Sequence, residues 1–328
     1  MIGAHHTEDR SRGWLLILFR WVAAFAVLGI LFHFLPFAVL WQAIQRLTIW
    51  QFAAILLGYL MAHCVGVAKW RMVVNAAGAQ LDYRTSGQCY AGGLFGALFL
   101  PSIIGGDVVR LAVGLKRSPN PAAVLAGNVA DRFIDMGAQG SLILLGLLLL
   151  PGSVPASLEV QARKGVLIAV ALGIVGLALA LLLYRPLLSG RSVRFRRRLA
   201  RLRYALRAVS QRPHVLVLGW LMGVGIQLTL LLLTTRIAAL CGLVLPLRQW
   251  LFAWPLAKLA ALLPLTQGGI GVREAALVGL LSAFGAASHL VLATGLLWEG
   301  VIIAGGLLAG LAAFVLRRGE PIRSALET

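Results

Sequence analysis

Charge is what this chain has least of. Only 12% of its 328 residues are Asp, Glu, Lys or Arg, about half the share of an ordinary soluble domain. Acidic groups are scarcer still: eleven carboxylates stand against thirty Lys and Arg. There is no G-x-x-x-x-G-K-[ST] loop for a nucleotide phosphate, no G-x-S-x-G elbow and no H-E-x-x-H pair, so the motifs of ATP hydrolysis, serine-type acyl transfer and zinc proteolysis are missing. Three cysteines, Cys64, Cys89 and Cys241, lie far apart and form no C-x-x-C. They read as small buried residues, and with the scattered His5, His6, His33, His63, His214 and His289 they make no ligand spacing, so no metal or other cofactor is expected. No stretch of ordinary composition is long enough for a soluble catalytic domain.

What remains is apolar. Hydrophobic residues make up 60% and mean hydropathy is +0.89, which places the chain in the membrane. The net charge of +19 would suggest nucleic acid in a soluble protein, but ten of the thirty basic residues fall in 185–212. Membrane orientation and anionic lipid explain that excess better, and no nucleic-acid partner is expected.

Spans of about 20 residues are predicted at 14–35, 49–70, 121–150, 165–184, 213–238 and 288–316. The first is longer than a signal-peptide core and is read as a retained helix. Two further apolar stretches, 87–118 and 249–285, are interrupted by paired glycines and read as re-entrant hairpins. With Arg10 and Arg12 inside, the basic segments 69–86, 116–120, 185–212 and 317–328 all fall on the inner side. Charge alone leaves fully crossing hairpins open.

The interruptions repeat. Pro101–Arg110 and Pro264–Arg273 both read P-x-x-x-G-G-x-x-x-R, 163 residues apart, and Arg71, Gly78 and Arg84 match Arg236, Gly242 and Arg248 at nearly that offset. Three crossings per half invert the second copy. The expected fold is therefore an all-α polytopic membrane protein of two inverted-topology repeats, each with three spanning helices and a re-entrant broken-helix hairpin. Residues 1–150 form the first repeat, 151–164 a short outer loop, 165–316 the second repeat and 317–328 an inner tail.

Five carboxylates, Asp107, Asp131, Asp135, Glu274 and Glu299, fall in membrane-embedded stretches. Each would cost about 2.5–3.5 kcal/mol facing lipid, so each needs a partner or water. Asp107 and Arg110, and Arg132 and Asp135, are spaced to pair on one helix face, Arg273 adjoins Glu274, and Lys258 lies in a hairpin leg. Two readings stand side by side: ion pairs that lock the repeats, or a substrate and proton path. In the second, Gly105, Gly106, Asp107, Arg110, Arg132, Gly268, Gly269, Arg273 and Glu274 bind a phosphate-bearing headgroup, through glycine N–H groups, helix starts and arginines. Asp131, Asp135 and Glu299 join them as proton carriers. The glycines alone also fit a tight packing turn. In the central loop, Phe195, Leu199, Leu202, Leu206 and Val209 line one face among Arg194, Arg196–Arg198, Arg201, Arg203 and Arg207. That is an amphipathic helix suited to an anionic inner leaflet at 194–207, with docking of a membrane-associated biosynthetic enzyme as the alternative.

The Pro101–Arg110 motif, the Asn128–Asp135 segment and above all Pro264–Glu274 (P-L-T-Q-G-G-I-G-V-R-E) resemble the lysylphosphatidylglycerol synthase transmembrane family, also described as a flippase-like domain, over about residues 14–316. In bifunctional members a domain like this moves an aminoacylated phospholipid to the outer leaflet, and a separate cytosolic domain makes that lipid. The resemblance implies a standalone member without the synthase domain. It would be a multi-pass protein of the bacterial inner membrane with both termini cytoplasmic, translocating a phospholipid or lipid-linked substrate without ATP hydrolysis of its own. A lipid-modifying membrane enzyme and a non-transporting partner subunit are the competing functions.

Overall fold

In the computed structural model, residues 41–42, 45–100, 104–150, 193–261, 266 and 269–318 are described. The expected spans 14–35 and 165–184, the loop 151–164 and Gly268 lie outside them. Among the described residues all regular structure is helical: α1 (Ile49–Ala76), α2 (Tyr83–Ala97), α3 (Ile104–Arg117), α4 (Pro121–Leu149), α5 (Val193–Ser210), α6 (Pro213–Leu240), α7 (Leu247–Ala260), α8 (Val272–Ser282) and α9 (Ser288–Arg318).

Length divides them. α1, α4, α6 and α9 have 28 to 31 residues, and at 1.5 Å per residue each exceeds a hydrocarbon core of about 30 Å. All four are apolar enough to cross. α2, α3, α7 and α8 have 15, 14, 14 and 11 residues, too short to cross alone. α2 and α3 return to the side from which they set out. The Ser118 hydroxyl, just after α3, donates 2.6 Å to the Ala79 carbonyl just before α2. The turn into the hairpin is tied locally. Asn75 exchanges two 2.8 Å hydrogen bonds with the Leu81 backbone, and Arg71 Nε donates to the Leu81 carbonyl at 3.0 Å. Gly78 supplies the left-handed conformation (φ 98°) that ends α1.

The two legs approach through glycine. A Cβ on Gly106 would lie 2.5 Å from the Gly93 carbonyl oxygen, and one on Gly96 would lie 2.5 Å from Val109. The close-packing use of the paired glycines is therefore present in the first hairpin: Gly105 and Gly106 are buried in the first turn of α3.

Among the described residues, several helix contacts recur when the halves are exchanged. α2 lies on α9 and α7 on α4; α1 lies on α4 and α6 on α9; α4 meets α6 as α9 meets α1. α1 and α6 run antiparallel. Gly58 faces Leu233 and Gly219 faces Met72, while Gly242 beyond α6 faces Arg46 ahead of α1. One buried apolar cluster joins α1, α6, α7, α8 and α9; another joins α1–α6 around Trp70, Val73 and Val74. Ala205 and Val209 of α5 belong to the second, so this half of the arginine-rich helix is docked on protein as well as amphipathic. Large apolar side chains such as Trp50, Met61, Phe133, Leu148 and Leu311 point outward, as a lipid-facing surface requires.

Candidate functional site

The ionisable residues of the interior gather in two groups. The first is built from three helices. Lys69 of α1 donates to Asp131 at 2.6 Å and to Asp135 at 2.7 Å, both on α4. Arg110 of α3 stands 3.7 Å from Asp131 and 3.8 Å from Asp107. Arg132 pairs with Asp107 and lies 3.8 Å from Asp135. Three cations meet three carboxylates, so the group is formally neutral, the only state in which burying six charges is tolerable. Aromatic faces complete it: Arg110 stacks 4.1 Å from the Tyr90 ring centre and 5.8 Å from Trp70. Asn128, expected on this face, accepts a 3.1 Å bond from the Trp70 indole. The i,i+3 pairs expected from spacing exist, but both are the long contacts of the group. The short ones cross between helices.

The second group is built on the turn into α8. Gly269 and Gly271 have φ of 81° and 84°, the left-handed region that G-G-x-G makes available. Gly269 packs so tightly that a Cβ would lie 2.8 Å from that of Ala261. The chain then starts α8 with Gly271 N–H donating 2.7 Å to Glu274 Oε2. Glu274 is 1% exposed, and its other oxygen accepts from Arg273 Nη2 at 2.7 Å and Nε at 3.1 Å. Arg273 also pairs with Glu299 of α9. Thus the helix start expected to present free N–H groups to an anion already holds this chain's own carboxylate. A Cβ on Gly295 would lie 2.9 Å from Glu274 Cγ, so that glycine makes the room.

Between the groups stands Lys258 of α7. It donates 2.8 Å to Gln227 Oε1 of α6 and lies 5.1 Å from the Trp254 ring centre. Among the described residues no carboxylate lies within salt-bridge distance of it, although Asp135 and Arg273 are both within electrostatic reach. It faces a cavity of about 420 Å³ formed where the end of α2 meets α1, α7 and α9. The polar wall of that cavity is Tyr59, His63, Lys258, Arg273 and Glu299; Leu98, Trp254, Trp298 and Ile303 are among its apolar lining. Arg110 and its carboxylates are not on the wall. They reach it through Tyr90, whose hydroxyl shares a 3.2 Å hydrogen bond with His63 Nδ1.

Of the residues singled out from sequence, Arg273 and Glu299 line the cavity; Asp107, Arg110, Asp131, Arg132 and Asp135 form the adjoining neutral group. Sequence reasoning missed Lys69, the centre of that group. It ended the second expected span at residue 70, whereas α1 continues to Ala76. The signal was the apolar residues Trp70, Met72, Val73 and Val74, which continue past the lysine around Arg71. His63, one of the scattered histidines without ligand spacing, bridges to Tyr90. Among the described residues no three His, Cys, Asp or Glu side chains are placed to hold a metal ion.

A lysine and an arginine–glutamate pair thus stand at the edge of a largely apolar cavity among helices long enough to cross a membrane. Comparison with protein families agrees: the model of the lysylphosphatidylglycerol synthase TM region matches residues 15–310. The chain belongs to this family. The match runs through both hairpins and all four long helices, so both ionisable groups lie inside the family region, and membrane-lipid chemistry is the general setting for this member. No curated protein and no solved structure matches the chain.

Proposed function

We propose that this protein moves a phosphate-bearing lipid between the leaflets of a bacterial inner membrane, without hydrolysing ATP. The observation that carries the reading is the cavity: its walls are mostly apolar, and it holds one cation, Lys258, with no carboxylate partner among the described residues. A phosphate entering there would exchange a neutral Gln227 contact for a charge-assisted one. Arg273 offers a second, conditional contact. It is held by two carboxylates, and a proton taken by Glu299 would release one of its N–H donors to the headgroup while Glu274 keeps its own contact, so that protonation of Glu299 and phosphate binding would be coupled. Asp131 and Asp135 are the further proton carriers in this scheme. The antiparallel α1–α6 contact and the exchangeable packing support two inverted repeats, whose rocking would expose the cavity to either leaflet in turn.

The test is leaflet translocation by purified protein in vesicles, comparing a fluorescent phosphatidylglycerol with a neutral diacylglycerol. The wild type is expected to move the first selectively. Lys258→Gln should slow it by tenfold or more, since a hydrogen bond to a charged group is worth about 1.5–3 kcal/mol. Equal movement of both lipids, or an unchanged rate in Lys258→Gln, overturns the reading.

A further inference from the structure

Another opening lies outside the cavity, on the flank where α5 docks. There α4, α5 and α6 enclose an open groove of about 730 Å³. Phe133 and Ile134 of α4 with Leu206 of α5 and Leu216 and Trp220 of α6 supply its apolar surface. Gly137 of α4 lines the groove and leaves it open, since a Cβ there would come only as near as 3.8 Å to the Trp220 ring. Phe133 is 65% exposed, so the apolar floor continues outward onto the lipid-facing surface.

At the rim stand Arg203 and Arg207, one turn apart on α5. Both are exposed, and among the described residues neither has a carboxylate within salt-bridge distance. α5 cannot roll to turn them away, because Ala205 and Val209 between and beyond them are buried in the apolar cluster with Trp70 and Val215. Two fixed guanidiniums above an apolar slot that opens to lipid match one chemistry: a phosphate on an acyl chain. We infer that this groove binds an anionic phospholipid from the adjoining leaflet, its phosphate between Arg203 and Arg207 and a chain along Phe133, Leu216 and Trp220. The site does not depend on translocation through the central cavity. A soluble phosphate would meet only the rim, without the apolar contribution, and binds far more weakly.

Trp220 makes the site observable. In vesicles carrying the full-length protein, phospholipids brominated on the acyl chain should quench the fluorescence lost between wild type and Trp220→Phe. Brominated phosphatidylglycerol should do so at a mole fraction at least about tenfold lower than brominated phosphatidylcholine at low salt, two basic side chains each adding severalfold. Arg203→Gln/Arg207→Gln should abolish the preference and leave the protein folded, both side chains being exposed. Gly137→Leu, which fills the groove and favours the helix, should remove quenching by both lipids. Glycerol phosphate at millimolar concentration should compete with neither. Equal quenching by the two lipids in the wild type, a preference that survives the double substitution, unaltered quenching in Gly137→Leu, or displacement by glycerol phosphate would each overturn the proposal.

Discussion

Replacing Lys69 by Met keeps an unbranched apolar stem and removes the terminal ammonium group. The structure sets the consequence. Two charge-assisted hydrogen bonds, 2.6 Å to Asp131 and 2.7 Å to Asp135, disappear together. Lys69 and Asp131 side chains are only 3% and 2% exposed, so water cannot replace the lost donor. The group falls from three cations and three carboxylates to two and three, a net buried negative charge. Removing one partner of a buried pair costs about 3–5 kcal/mol, and α1 and α4 should separate more readily by about that amount. Adding Asp131→Asn restores formal neutrality, two against two, so Lys69→Met/Asp131→Asn should recover at least half of the loss. The measurement is unfolding free energy in bicelles by steric trapping, on a full double-substitution cycle. A Lys69→Met protein within about 0.5 kcal/mol of wild type, or strictly additive losses in the cycle, would refute the view that neutrality holds this group together.

Two further outcomes follow from local geometry. Gly106→Ala, which drives a Cβ to 2.5 Å from the Gly93 carbonyl oxygen, should lower thermal stability clearly, whereas Gly140→Ala, with nothing within 4 Å, should be neutral or stabilising by up to about 1 kcal/mol; equal effects would dismiss the close-packed hairpin. Asp82 lies outside the membrane-spanning segments and caps α2 through a 3.1 Å bond from Thr85 N–H, and that hydrogen bonding to Thr85 lowers its pKa below the ordinary 3.8. Its stabilising contribution is therefore complete above about pH 4 and lost as the pH falls through the lowered folded value; Asp82→Asn should flatten melting temperature against pH in that acid range, and an unchanged profile would assign the effect elsewhere.

The membrane class, the four long described helices and the two interrupted hairpins were legible in the sequence, because twenty apolar residues and a helix-breaking glycine pair are local facts that lipid enforces one segment at a time. So was the need of Asp107, Asp131, Asp135, Glu274 and Glu299 for partners. Which partner each would take was not. Spacing along one helix suggests Asp107–Arg110 and Arg132–Asp135, yet these are the loose contacts at 3.8 Å, and the tight ones come from α1 and from the opposite helix. Lys69 illustrates the reason: its position in the chain placed it at the edge of a span, and only the docking of α1 against α4 made it the centre of six charges. The same holds for the glycines. The sequence pointed to an interruption at each glycine pair; the tertiary structure decided that Gly106, inside α3, meets the Gly93 backbone and that Gly269 packs on Ala261 just ahead of a helix start held by Glu274. Burial energy is local and additive enough to read from composition, whereas the pairing of buried charges depends on distances that exist only once the helices have packed.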